Sequence, residues 1–124
     1  MSAKKIAIVE DDPFIVQMYK SKFELSGYDV KTAGDGIEGL ALVADFKPDV
    51  ILLDLMMPKM SGVETLTKLR AQPGGDKFKI IVLSNMGDTD TVAKIKEIGY
   101  DDYIIKADLT PSEVEARVKK LLAK

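Results

Sequence analysis

The stretch Val50-Ile51-Leu52-Leu53 sets four apolar residues in a row and follows them with a carboxylate, Asp54. A run this short, rich in Val, Ile and Leu and without polar alternation, reads as a strand buried on both faces. Pro58 closes the turn behind it, and Ser61 with Glu64 three positions on has the spacing of a capping box at a helix start. Asp54 is thereby placed at the C-terminal end of an interior strand. In an open α/β sheet that edge is where ligands bind.

The rest of the chain repeats the same unit. Residues 5–10 (KIAIVE), 29–33 (DVKTA), 50–54, 79–84 (KIIVLS) and 102–106 (DYIIK) read as strands. Helical patterns fill 13–26, 36–46, 61–71 and 88–98, and a last helix opens at Thr110-Pro111, where Glu113 completes a second capping box. Gly27 and Gly99 stop the first and fourth helices. Strand 2 is the more polar one and is expected near an edge. Five β-α units joined this way predict a parallel sheet with right-handed crossovers and helices on both faces. The expected fold is a doubly wound, flavodoxin-like α/β domain with five helices and strand order 2-1-3-4-5, spanning 1–124 as a single domain.

Composition narrows the chemistry. The chain has 124 residues, 46% of them apolar, which suits one domain with one core. It contains neither cysteine nor histidine, so thiolate and imidazole chemistry on this chain is excluded. The formal charge of -2 gives no electrostatic case for direct nucleic-acid or anionic-membrane binding. No apolar segment is long enough to span a bilayer, and a cytoplasmic location is expected.

Strand 1 runs into Glu10, Asp11 and Asp12, strand 3 ends at Asp54, strand 4 at Ser84 and strand 5 at Lys106. With strands 1 and 3 adjacent, their carboxylates converge in one crevice. Clustered carboxylates resist joint ionisation, and a hard divalent cation relieves that conflict. Magnesium favours oxygen ligands and typically takes one or two carboxylates. The carboxylates that end strands 1 and 3 are the candidate ligands, with the Met56 backbone carbonyl as a further donor and Glu10 in a secondary, water-mediated role. Asp12 precedes Pro13 and reads as a helix cap. Lys106 and Ser84 read as a clamp for the oxygens of a transferred phosphoryl group, and Asp54 as the nucleophile that forms an acyl phosphate. No G-x-x-x-x-G-K-[ST] or G-x-G-x-x-G loop is present. An aspartate phosphatase would want a second Asp two positions after the first, where Met56 stands.

In combination, VED after strand 1, LLDLMMPKMSG around Asp54, LS at the end of strand 4 and DDYIIK in strand 5 resemble the CheY-like receiver domains of two-component response regulators. The resemblance covers nearly the whole chain. It implies that Asp54 is the phosphoacceptor, Asp11 a direct magnesium ligand with Glu10 beside it, and Met56 a carbonyl donor. It further implies that Ser84 moves toward the phosphoryl group, that Lys106 is its ion partner and that Tyr103 is the aromatic switch residue. The implied partners are a histidine kinase or histidine phosphotransfer protein, and a downstream protein effector on the face of helix 4, strand 5 and helix 5. The implied role is a magnesium-dependent signalling switch, not an enzyme acting on other substrates; the alternative is a scaffold of the same fold that works without phosphorylation. Three residues depart from the usual family pattern: Ala107 replaces Pro after the lysine, Asn85 stands where a small residue is usual, and Tyr100 replaces Ala. Met56 and Met86 flank the expected approach of a hydrolytic water and cannot orient it, and Asn85 crowds the same entrance. A slow dephosphorylation is expected from these three.

Overall fold

All five residues of the strand Val50–Asp54 are buried, as are all five of Ile80–Ser84, which is what unbroken aliphatic runs require. The computed structural model describes residues 3–85 and 89–124. Its elements alternate: β1 (Lys5–Val9), α1 (Pro13–Leu25), β2 (Asp29–Ala33), α2 (Gly36–Phe46), β3 (Val50–Asp54), α3 (Gly62–Ala71), β4 (Ile80–Ser84), α4 (Thr89–Ile98), β5 (Asp102–Ile105) and α5 (Pro111–Leu122). Single 3-10 turns at Gly75–Lys77 and Lys106–Asp108 lie in the connections. The five strands are parallel in the order β2-β1-β3-β4-β5. The expected flavodoxin-like topology is thus the observed one.

Because successive strand residues point to opposite faces, each strand supplies two cores. Ile6, Ile8, Leu52, Ile81, Leu83 and Ile104 meet Tyr19 and Phe23 of α1 and Val114, Val118 and Leu121 of α5. Ala7, Val9, Ile51, Leu53, Ile80 and Val82 meet Val43 of α2, Leu66 and Leu69 of α3 and Ile95 of α4. Helices cover both faces; the strand order makes β2 and β5 the sheet's edges, and they carry the exposed strand residues.

Local differences from the sequence expectation have identifiable causes. Ser61 is the cap of α3, not its first residue, and its hydroxyl accepts from the Glu64 N–H at 3.1 Å. The reciprocal half of the expected box is missing because the Glu64 carboxylate faces Lys68 one turn on, at 3.9 Å. The box at Thr110 and Glu113 is complete. Strand β5 stops at Ile105, and Lys106 opens a 3-10 turn. The expected start of α4 at Asp88 falls outside the described residues.

Gly62 fixes how α3 leaves the strand edge. A Cβ there would overlap Leu55 Cα and lie 2.8 Å from the Leu55 carbonyl oxygen, which already accepts the Gly62 N–H at 3.0 Å. Backbone, unlike a side-chain tip, cannot swing aside. Gly62→Ala is therefore expected to destabilise the fold by about 2–3 kcal/mol, the range of overpacking with backbone displacement. Urea denaturation should show a lowered midpoint at unchanged slope.

Candidate functional site

Register alone brings the site together. Val9 pairs with Leu53, so the next residues, Glu10 and Asp54, leave adjacent strands at the same level. Ser84 pairs with Ile105, so Lys106 leaves the sheet one position further along. A crevice of about 170 Å³ results, lined by the acidic group Glu10, Asp11 and Asp54 together with Met56, Asn85 and Lys106. A larger and mainly apolar hollow of about 600 Å³ lies at the opposite end of the sheet, against Lys47, Pro48 and Phe78. Among the described residues that line it Lys47 alone is titratable, whereas the smaller crevice gathers carboxylates and an ammonium.

Glu10 and Asp54 are 1% and 2% exposed, whereas Asp11 stands in solvent. One carboxylate oxygen from each of Glu10, Asp11 and Asp54 lies within 4.8 Å of the others. Lys106 reaches between the two buried acids: its ammonium hydrogen-bonds Glu10 Oε1 and sits 3.2 Å from Asp54 Oδ1. The Met56 N–H donates to Asp54 Oδ1 at 3.2 Å, and the Asp12 N–H donates to Glu10 Oε2 at 3.1 Å. Asp12 itself caps α1, accepting from Phe14 N and Ile15 N as its place before Pro13 implied.

Burial pushes the Glu10 carboxyl up to about 7; the bond from Lys106 and the Asp12 N–H act against this, and the Asp54 charge adds to the rise. Burial alone would lower the Lys106 ammonium, but its bond to Glu10 and the charges of Asp54 and Glu10 hold it above the ordinary lysine value. The acid has the consequence for stability. Because the folded state binds the Glu10 proton more tightly than the unfolded chain does, its contribution is fully present below about 4.5 and is lost as pH rises to about 7. Metal-free protein is expected to lose on the order of 1–3 kcal/mol from this group across that window. Urea titrations in a chelator at pH 5 and pH 8 should show the drop, and Glu10→Gln should flatten it.

The donor set also answers the question of a metal. All three clustered groups offer oxygen, two are buried and converge, and the third faces water. This fits a hard divalent ion that keeps part of its hydration shell.

Of the residues singled out from the sequence, the crevice gathers Glu10, Asp11, Asp54, Met56, Asn85 and Lys106. Ser84 is fully buried behind it, and its hydroxyl has no hydrogen-bond partner among the described residues. Tyr103 is turned inward: its hydroxyl is buried, without a partner among the described residues, and its ring meets that of Tyr100 at 5.9 Å between centroids. Met86 lies outside the described residues. Lys106, read from the sequence as part of a clamp for phosphoryl oxygens, here lies between the two buried acids. Ile15 also lines the crevice and escaped the sequence reading; an apolar residue in a helix's first turn carries no signal that separates a site wall from a core contact.

The model of the response regulator receiver domain matches residues 6–119. The chain is 42% identical over 119 residues to the alkaline phosphatase synthesis transcriptional regulatory protein PhoP of Bacillus subtilis, covering 96% of this chain and 48% of that protein. Among solved structures it is similar to the chemotaxis protein CheY4 of Vibrio cholerae, with a TM-score of 0.89, 28% identity and coverage of 97% and 99% of the two chains. It is likewise similar to a CheY-like receiver domain protein of Methanospirillum hungatei, with a TM-score of 0.89, 31% identity and coverage of 98% and 95%. The chain belongs to the receiver-domain family of two-component response regulators. It spans about half the length of the curated relatives it matches. No helix among the described residues is long and apolar enough to cross a membrane.

Proposed function

We propose that this domain accepts a phosphoryl group on Asp54 from a phosphohistidine of a partner kinase or phosphotransfer protein and changes its partner-binding face in response. The observation that carries the reading is the Lys106 ammonium held between two buried carboxylates at the mouth of a crevice. An Asp54 oxygen attacks phosphorus, the bond from phosphorus to the donor nitrogen breaks, and its electron pair stays on the imidazole. The product is an acyl phosphate on Asp54 and a free histidine on the partner. These 124 residues contain no histidine, so the phosphoryl group comes from a phosphohistidine outside this domain or from a small-molecule phosphodonor.

Asp11 and Asp54, with the Met56 carbonyl and Glu10 in support, are the residues that would hold magnesium. When bound, magnesium supplies positive charge against the donor's phosphoryl oxygens. Lys106 swings from Glu10 to a phosphoryl oxygen. Ser84 moves inward and gains a hydrogen bond where it has none among the described residues, and the space it leaves is one into which the Tyr103 ring can rotate further, altering the face of α4, β5 and α5. Met56 is 73% exposed at the crevice mouth and Asn85 is exposed beside it; with Met86 they slow the approach of hydrolytic water.

The test is intact-protein mass spectrometry after incubation with acetyl phosphate, with and without magnesium. One added phosphoryl group, dependent on magnesium and recovered in the peptide containing residues 50–64, supports the switch. No added mass points to the scaffold alternative. Sustained release of phosphate from generic phosphoesters would indicate a phosphatase instead.

A further inference from the structure

The connection from β3 to α3 carries Met56, and it is clasped from outside by the turn that enters α2. Asp35, in that turn, is 3% exposed. Its Oδ1 accepts the Glu38 N–H at 2.8 Å and caps α2, while its Oδ2 faces the Lys59 ammonium at 3.5 Å. Lys59 lies in the β3–α3 connection and has a left-handed backbone, φ 69°. A lysine in that conformation stores strain that a glycine would not. The two segments also touch directly. A Cβ on Gly36 would overlap the Thr65 hydroxyl and lie 3.0 Å from Met60 Cβ. The Thr65 hydroxyl in turn donates to the Ser61 carbonyl at 2.8 Å.

We infer that Asp35 and Lys59 form a latch that holds the β3–α3 connection where the Met56 carbonyl can serve the metal, making Asp35 a positioning residue for the phosphoacceptor site. The inference rests on the proposed magnesium-dependent phosphorylation and extends it to a pair outside the crevice. Neither residue lines the crevice. Asp35 is suited to the task because its charge is secure: the Glu38 N–H, outweighing the effect of burial and assisted by Lys59, holds its carboxyl below the usual range. The short Met60 N–H to Pro58 carbonyl contact of 2.7 Å, one residue either side of Lys59, shows how tightly the connection is folded at the latch point.

A plain field effect on the metal can be separated from a latch by sign. Removing the Asp35 charge weakens attraction for a cation, and removing the Lys59 charge strengthens it, if only through-space electrostatics operates. The latch predicts that both substitutions weaken binding, because both release the same connection. Asp35→Asn keeps a capping oxygen for Glu38, and Lys59→Met keeps the side-chain stem, so α2 should persist in both.

The experiment is magnesium titration of the parent, Asp35→Asn, Lys59→Met, the double variant and Lys59→Arg, followed through backbone amide resonances of the β3–α3 connection, with urea stability measured alongside. Each single variant should bind magnesium about threefold more weakly, the scale of one ion pair with a buried partner. The double variant should be no weaker than the singles, and Lys59→Arg should match the parent. Tighter binding in Lys59→Met, unchanged binding in both singles, or losses that multiply in the double variant would each overturn the latch. So would weakening that only tracks lost stability. If the parent itself neither binds magnesium nor takes up phosphate, the reading of the site fails; if the parent does both and the variants match it, the latch alone fails.

Discussion

Asp54→Asn is expected to abolish phosphoryl uptake, a loss of at least about 10⁴-fold, as befits removal of the proposed attacking atom. The protein should nevertheless fold. The amide oxygen of Asn can still accept the Met56 N–H that Asp54 Oδ1 accepts at 3.2 Å. Lys106 retains its bond to Glu10. Removal of the Asp54 charge also takes away one of the causes that hold the Glu10 carboxyl high, so the acid should titrate at lower pH in the variant. Stability near neutral pH should then equal or exceed that of the parent, because two buried carboxylates have become one. Magnesium binding should weaken by roughly tenfold with one ligand charge gone. Mass spectrometry after exposure to acetyl phosphate and magnesium, with a urea titration on the same sample, reads all of these effects. Uptake at the parental rate would mean that another group is the nucleophile and would remove the basis for the proposed switch.

The architecture was legible because its signals are local. Four aliphatic residues from Val50 to Leu53 and four from Ile80 to Leu83 can be satisfied only by burial on both faces, and the intervening helical segments then dictate parallel pairing. Parallel pairing places Glu10, Asp54, Ser84 and Lys106 at one edge without further information. What the pattern does not encode is reach. Lys106 is 96 positions from Glu10, and only the register of β1 on β3 and of β4 on β5 shows that its ammonium falls between two acids. The inward turn of Tyr103 depends on its packing with Tyr100, on the far side of a turn. Asp35 was not among the residues singled out from the sequence: its approach to Lys59 depends on how α2 lies on α3. The incomplete box at Ser61 shows a matching spacing overruled by a competing partner, Lys68.

Lys106→Met should separate the folding role of this lysine from its chemical one. In the absence of metal the variant leaves Glu10 and Asp54 buried side by side with no cation between them. Truncating one partner of a buried pair costs about 3–5 kcal/mol when the remaining charge cannot neutralise. Here it can, because the Glu10 carboxyl already stands near 7 and loses in this variant the ammonium that lowers it. The cost should therefore be small at pH 5, where Glu10 is protonated, and should grow toward pH 8; this slope has the parent's sign but extends to higher pH. Magnesium should restore most of the lost stability, since in the proposed site it would occupy the same carboxylates. The variant should also bind magnesium about tenfold more tightly than the parent, because the competing positive charge, 3.2 Å from Asp54 Oδ1, is gone. Phosphoryl uptake should fall all the same, by about 10²–10³-fold, the usual loss when a donor aimed at developing oxygen charge is removed. Tighter metal binding joined to slower uptake is the signature. Unchanged magnesium affinity would show that the ammonium and the metal do not share Glu10 and Asp54, and unchanged uptake would show that Lys106 serves the fold alone.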